Sequence, residues 1–215
     1  RERVRLVPPT GPDDRTRDQA LSTPIDAAWK YLSLGRSVIP TGSGPKGKKP
    51  SNPGGIWKPY QTRLPFEEEV LAWADATPSS WAVVGGAVSD NLTIIDADTQ
   101  AAVRLFHDAG LEPHVTTPRG GEHYYFNSSL PSGVRSIDGI TFEVRGERSY
   151  CNFAGATANG QYEIHQIALD GPGSLYTVVD LPPELQRVIQ SATRPTTANQ
   201  RGSAWPDIIT KGMRN

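Results

Sequence analysis

Cysteine is almost absent from this 215-residue chain, which has only Cys151. A single cysteine excludes an intrachain disulfide and any Cys-based zinc cluster, and it fits a reducing cytosol. Also missing is any run of about 18 apolar residues, which excludes a membrane-spanning helix. The Arg-rich start lacks the apolar stretch of a signal peptide. Nor is there an excess of one charge. The 22 Lys and Arg nearly balance 23 Asp and Glu, for a net charge of −1. That rules out a uniformly basic nucleic-acid surface and leaves room for a local basic patch. There is no initiating Met, and the chain stops at Arg214-Asn215, which suggests a piece of something larger.

The chain does have enough apolar residues (36%) for one good core, with 19 prolines and 21 glycines marking extensive loops. Residues 1–22 are charged and Pro-rich and read as a disordered arm. Helical spacing predicts helices over 25–34, with Thr23-Pro24 as cap and first position, and over 66–76, 101–109 and 183–190. Short apolar runs predict strands at 36–40, 81–86, 91–99, 122–126, 137–144 and 149–153, with further strands at 161–167 and 174–179. Residues 41–65 read as a long loop in which Lys46, Lys48, Lys49, Lys58 and Arg63 alternate with Trp57 and Tyr60. Such a loop suits phosphate and base contacts, although any one of its lysines is as readily a solvated charge. Residues 191–200 have the composition of a linker. The domains expected are the arm, a catalytic domain over 23–190, and a linker with the start of a truncated C-terminal region over 191–215.

The most informative stretch is 91–99, where Leu92, Ile94 and Ile95 form a buried strand ending in Asp96 and Asp98. A side-chain period of two sends both carboxylates to one face. Two unit charges about 4 Å apart repel by roughly 4 kcal/mol at an effective dielectric near 20. A divalent cation with a preference for oxygen, Mg2+ or Mn2+, removes that cost. Asp98 alone is more simply explained as a cap on the following helix. On the next strand His123 and Tyr125 share one face, and Glu122, Tyr124 and Phe126 the other. On the third, Thr141, Glu143 and Arg145 lie opposite Ile140, Phe142 and Val144. Alone, His123 reads as a satisfied strand histidine and Glu143 as a surface acid. Together, three carboxylates suffice for one or two cations, with His123 and Arg119 near enough to neutralise phosphate. The Gly85-Gly86 strand end is a place where backbone can approach a ligand closely.

Three motifs in this order resemble the archaeo-eukaryotic primase superfamily. The closer resemblance is to the bifunctional primase–polymerase domain of phage and plasmid replication proteins. The motifs are Ile94-Ile95-Asp96-Ala97-Asp98, then Thr117-Pro118-Arg119-Gly120-Gly121-Glu122-His123, then Ile140-Thr141-Phe142-Glu143-Val144-Arg145-Gly146. Lys48-Lys49-Pro50 with Gly55-Ile56-Trp57-Lys58, and Val84-Gly85-Gly86, are similar to further family loops. Glu143 stands where the family usually has Asp, one methylene further out, and Gly85-Gly86 lacks the usual neighbouring Ser or Thr.

The resemblance covers about residues 25–190 and implies an α+β fold: an RRM-like antiparallel sheet flanked by helices, with two α/β halves around a catalytic cleft. It implies Asp96, Asp98 and Glu143 as ligands of one or two Mg2+ or Mn2+ ions. His123, Arg119, Gly121, Lys49 and Arg145 would bind the nucleotide, with His123 also counted among the catalytic residues. The implied activity is DNA primase and DNA polymerase, acting on dNTP or NTP along a single-stranded DNA template. The setting would be the cytoplasm of a bacterial or archaeal host, with a helicase covalently linked in the full-length chain and no membrane partner. Two other classes compete. One is a metal-dependent phosphatase or sugar-nucleotide transferase using the Asp-x-Asp pair, although Asp98-Thr99-Gln100 lacks the Gly-Thr continuation usual in nucleophilic-Asp phosphatases. The other is a non-catalytic RRM-like nucleic-acid-binding module, which predicts exposed aromatics where carboxylates stand here.

Overall fold

Alternating apolar residues build two antiparallel sheets in a computed structural model that describes residues 23–43, 47–165 and 180–192. In chain order the strands are β1 (Val38–Ser43), β2 (Lys49–Pro50), β3 (Ser80–Val84), β4 (Leu92–Ala97), β5 (Val115–Thr116) and β6 (Glu122–Asn127). They continue with β7 (Gly133–Ile137), β8 (Ile140–Arg145), β9 (Tyr150–Thr157), β10 (Gly160–Gln161) and β11 (Glu163–Ile164). The helices are α1 (Pro24–Ser33), α2 (Glu67–Asp75), α3 (Gln100–Asp108) and α4 (Pro183–Ser191). One sheet has the order β10-β9-β3-β1-β2 and the other β11-β5-β6-β4-β8-β7. The expected α+β class is therefore observed.

The period of two divides β4 between two cores. Ile95 and Ala97 face outward with Tyr124, Phe126, Phe142 and Val144, and are covered by Phe106 of α3 and by Leu185 and Ile189 of α4. Leu92 and Ile94 face the other way, joining Val38, Val83 and Phe153 of the five-stranded sheet and Tyr31 of α1. The Tyr31 ring stacks on Phe153 at 3.9 Å and meets Tyr125 edge-on at 6.4 Å, tying α1 to both sheets. Each fully buried large apolar side chain contributes about 2 kcal/mol. The same alternation places Asp96, two residues after Ile94, on the face between the sheets.

The four helices fall within one residue of their expected ends. Thr23 caps α1 by accepting from the Asp26 amide at 3.3 Å, with Pro24 at the first position. Three expectations change. The strand expected over 137–144 is a hairpin, β7 and β8, turning at Asp138 and Gly139, which have φ of 51° and 80°. β7 is a sheet edge whose Val134 is exposed, so it lacks the apolar alternation that reveals buried strands. The loop expected over 41–65 contains the end of β1, all of β2 and two 3-10 turns, Pro53–Gly55 and Lys58–Gln61. In place of one strand starting at 161, residues 160–164 hold the short β10 and β11. The expected arm 1–22, Lys46, the strand at 174–179, residues 166–167 and the segment 193–215 lie outside the described residues. Among the described residues no helix is long and apolar enough to cross a membrane.

Candidate functional site

β4 is hydrogen-bonded on both edges, and its register sets Asp96 opposite His123 on β6 and opposite Glu143 on β8. All three project toward the five-stranded sheet, as does Arg145. Arg145 Nε donates to Asp96 Oδ2 and its Nη2 to Glu143 Oε2, each at 2.9 Å. His123 Nε2 lies 3.5 Å from Asp96 Oδ1. The Asp96 side chain is only 8% exposed, and its Oδ1 makes no hydrogen bond. Burial alone would push the Asp96 carboxyl up. The neighbouring His123 and Arg145 charges override it and hold the group well below the usual carboxylate range. For His123 burial works against the charged form, but the Cys151 sulfur and the Asp96 carboxylate outweigh it and push the imidazole up to about 10. Asp96 is thus an ionised, buried carboxylate held by two cationic side chains.

Asp96, His123 and Arg145 open onto a cavity of about 310 Å³ between the sheets, which Glu143 does not line. Lys48, His123, Arg145 and Arg148 line it with Asp96, so cationic side chains outnumber the one carboxylate on its wall. Trp57 and Tyr150 form an aromatic wall, their rings edge-to-face at 4.9 Å. Tyr150 anchors the basic loop by donating to the Lys48 carbonyl at 3.2 Å. Cys151 and Tyr162 complete the interior, with Cys151 Sγ 3.5 Å from His123 Nε2. Burial pushes the Tyr162 hydroxyl upward, reinforced by Cys151, Asp96 and Asp98. Such a cavity can hold a polyanion against its basic groups and a planar ring against its aromatic ones.

The structure brings together Asp96, His123, Glu143 and Arg145 from separate motifs. The other expected residues lie around them. Asp98 is exposed, one residue beyond the end of β4, with its charge felt at Tyr162. It does not cap α3. Thr99 does so, accepting from the Ala102 amide at 3.2 Å. Arg119 is exposed on its turn, and Lys49 is exposed on β2 beside the cavity-lining Lys48. Gly121 is buried for a backbone reason. A Cβ there would stand 2.8 Å from the Ala97 carbonyl oxygen and 3.1 Å from Asp98 Cα, so glycine lets the turn before β6 close onto the end of β4. The close approach expected at Gly85 is likewise to the chain itself, since a Cβ there would be 2.7 Å from the Gly146 carbonyl oxygen.

Cys151, Tyr162 and Arg148 were not anticipated from sequence. The available signal was the alternation of Cys151 and Phe153 along one strand face, which marks Cys151 as inward-pointing. No protein-family model matches this chain, and no curated protein matches it.

Proposed function

We propose that the chain is a nucleotidyltransferase domain of the primase–polymerase type, making and extending primers on a single-stranded DNA template. The observation that carries this reading is the register of three strands: residues 96, 123 and 143, far apart in sequence, are cross-strand neighbours around one buried carboxylate. The basic and aromatic cavity supports it, because a nucleoside triphosphate offers an anion and a ring at opposite ends. The RRM-like description is supported by the antiparallel six-stranded sheet with α3 and α4 on one face. A cleft between two halves is supported by a cavity that both sheets line.

Two members of the expected donor set, Asp96 and Glu143, are cross-strand neighbours that suit a hard divalent cation. Asp98 lies beyond the strand end, and the three carboxylates are not all within 4.8 Å of one another. Asp96 Oδ1 is a buried acceptor without a hydrogen bond, Glu143 is its cross-strand neighbour, and Asp98 follows at the strand end. Asp96, Glu143 and Asp98 are the residues that would hold Mg2+ or Mn2+, with the Arg145 guanidinium now paired to the first two. Bound there, the ion supplies charge stabilisation at the attacking and leaving oxygens. The chain's own residues do the remainder. Lys48, Arg148 and His123 neutralise the triphosphate, and Arg145, once released from Glu143, is free to do the same. Trp57 and Tyr150 receive the base. The inter-sheet core behind Asp96 keeps bulk water from that side, which strengthens each of these interactions.

The test is extension of primed and unprimed single-stranded templates with Mg2+ or Mn2+. Asp96→Ala combined with Asp98→Ala abolishes incorporation while the circular dichroism spectrum stays that of the parent. Undiminished incorporation by the folded double variant overturns the reading. A stabilisation that needs both Mn2+ and a deoxynucleotide separates it from a non-catalytic nucleic-acid-binding module.

A further inference from the structure

Cys151 Sγ, His123 Nε2 and Asp96 Oδ1 meet at one point of the cavity wall, from three strands and both sheets. One ligand atom from each of the three residues lies within 4.8 Å of the other two, and all three residues are buried. His123 Nε2 is 3.5 Å from Cys151 Sγ and 3.5 Å from Asp96 Oδ1. Zinc bonds of about 2.0–2.1 Å to nitrogen or oxygen and 2.3 Å to sulfur, set at tetrahedral angles, separate neighbouring donors by about 3.4–3.6 Å. Both of those edges match that spacing, and the third, between the Cys151 and Asp96 donors, is within 4.8 Å. The second Asp96 oxygen is held by Arg145, while Oδ1 makes no hydrogen bond although it is buried. Its cationic neighbour is His123 Nε2 at 3.5 Å, too long for a good hydrogen bond, and an ion set among the three donors would satisfy that oxygen better.

We propose that Asp96, His123 and Cys151 form a three-ligand site for a zinc-class divalent cation, with a fourth position open to the cavity. The lone cysteine excludes a Cys-rich cluster, but a mixed sulfur, nitrogen and oxygen set needs only one. Thiolate and imidazole select borderline-soft ions over Mg2+, so this site differs in ligand chemistry from the carboxylate set proposed above. Three protein ligands with an open position are the pattern of a reactive rather than a purely structural zinc, the fourth ligand being water or a substrate oxygen. The proposal shares Asp96 and His123 with the nucleotidyl-transfer reading without depending on it, because its readouts are binding and spectra.

The test is titration of the metal-free full chain with Co2+ as the probe, followed by Zn2+. One equivalent of Co2+ gives the near-ultraviolet thiolate-to-cobalt band and the intense visible bands of a tetrahedral ion, and one equivalent of Zn2+ abolishes them. Since the chain has one cysteine, the thiolate band can come only from Cys151. Cys151→Ser loses that band and binds Zn2+ at least about tenfold more weakly, since even outer-shell losses reach that scale. If the serine variant does not fold, the wild-type spectrum still decides. A wild-type chain without a thiolate band, or a folded serine variant with undiminished Zn2+ affinity, overturns the site.

Discussion

Arg145 Nε donates to Asp96 Oδ2 at 2.9 Å across two paired strands, giving the buried carboxylate a cation belonging to the chain itself. The same guanidinium reaches Glu143 at 2.9 Å. It is therefore both a stabilising partner and the occupant of the gap between two proposed metal ligands. Removing one member of a buried ion pair costs about 3–5 kcal/mol. With Arg145 28% exposed and His123 still beside Asp96, Arg145→Gln is expected near the lower end, about 3 kcal/mol. The shift is read from the urea midpoint, and Mn2+ should recover part of it. An unchanged midpoint would contradict the pairing.

Glu143 is expected to separate activity from stability. Its side chain is 38% exposed, so its bond to Arg145 contributes less than about 1 kcal/mol to folding. Glu143→Gln should leave the melting temperature nearly unchanged while lowering the rate of primer extension about 100-fold, the scale of losing one preorganised electrostatic group. Wild-type extension by this variant would remove Glu143 from the site.

His123 should impose an alkaline limit on stability. Its folded value is raised from 6.5 to about 10, so the charged imidazole stabilises the fold fully below about 6.5. That contribution declines as pH rises above 6.5 and is gone once pH passes about 10. Urea midpoints at a series of pH values should fall over this window in the wild type and fall less in His123→Gln. Parallel profiles for the two proteins would refute the linkage.

Gly85→Ala tests the backbone contact behind the site. The added methyl would lie 2.7 Å from the Gly146 carbonyl oxygen, with further backbone oxygens at 3.1 and 3.2 Å, so no side-chain rotation can relieve it. Overpacking of this kind costs about 1–3 kcal/mol, measured as a drop in unfolding free energy. A neutral substitution would show that β3 and the end of β8 can separate freely.

Much of the site was legible because a strand's period is fixed. Once Leu92 and Ile94 were read as buried, the face of Asp96 followed, and the same rule placed His123 with Tyr125 and Glu143 with Arg145. Pairing across strands was not legible, since it depends on which edges meet, and that decided that Arg145 bridges the two acids. Asp98 shows the limit of the rule. The period holds only within a strand, and β4 ends at Ala97. β7 carries no apolar alternation to mark it, because at this sheet edge Val134 is exposed on one face and the half-buried Arg135 lies on the other. The single cysteine excludes an intrachain disulfide from sequence alone, whereas its place beside His123 follows from the packing of β9 against the other sheet, which sequence does not give.

The two walls of the cavity differ in how they are built. Asp96 sits on a strand laddered along both edges, so its amide and position are released only by opening the sheet itself. Lys48 and Trp57 come instead from the short β2 region and the turns after it, where few ladder bonds restrain the chain. The chemistry proposed for this site would thus be anchored to the rigid side and accommodation left to the pliable one, so that differently sized occupants could be admitted without moving Asp96 or His123.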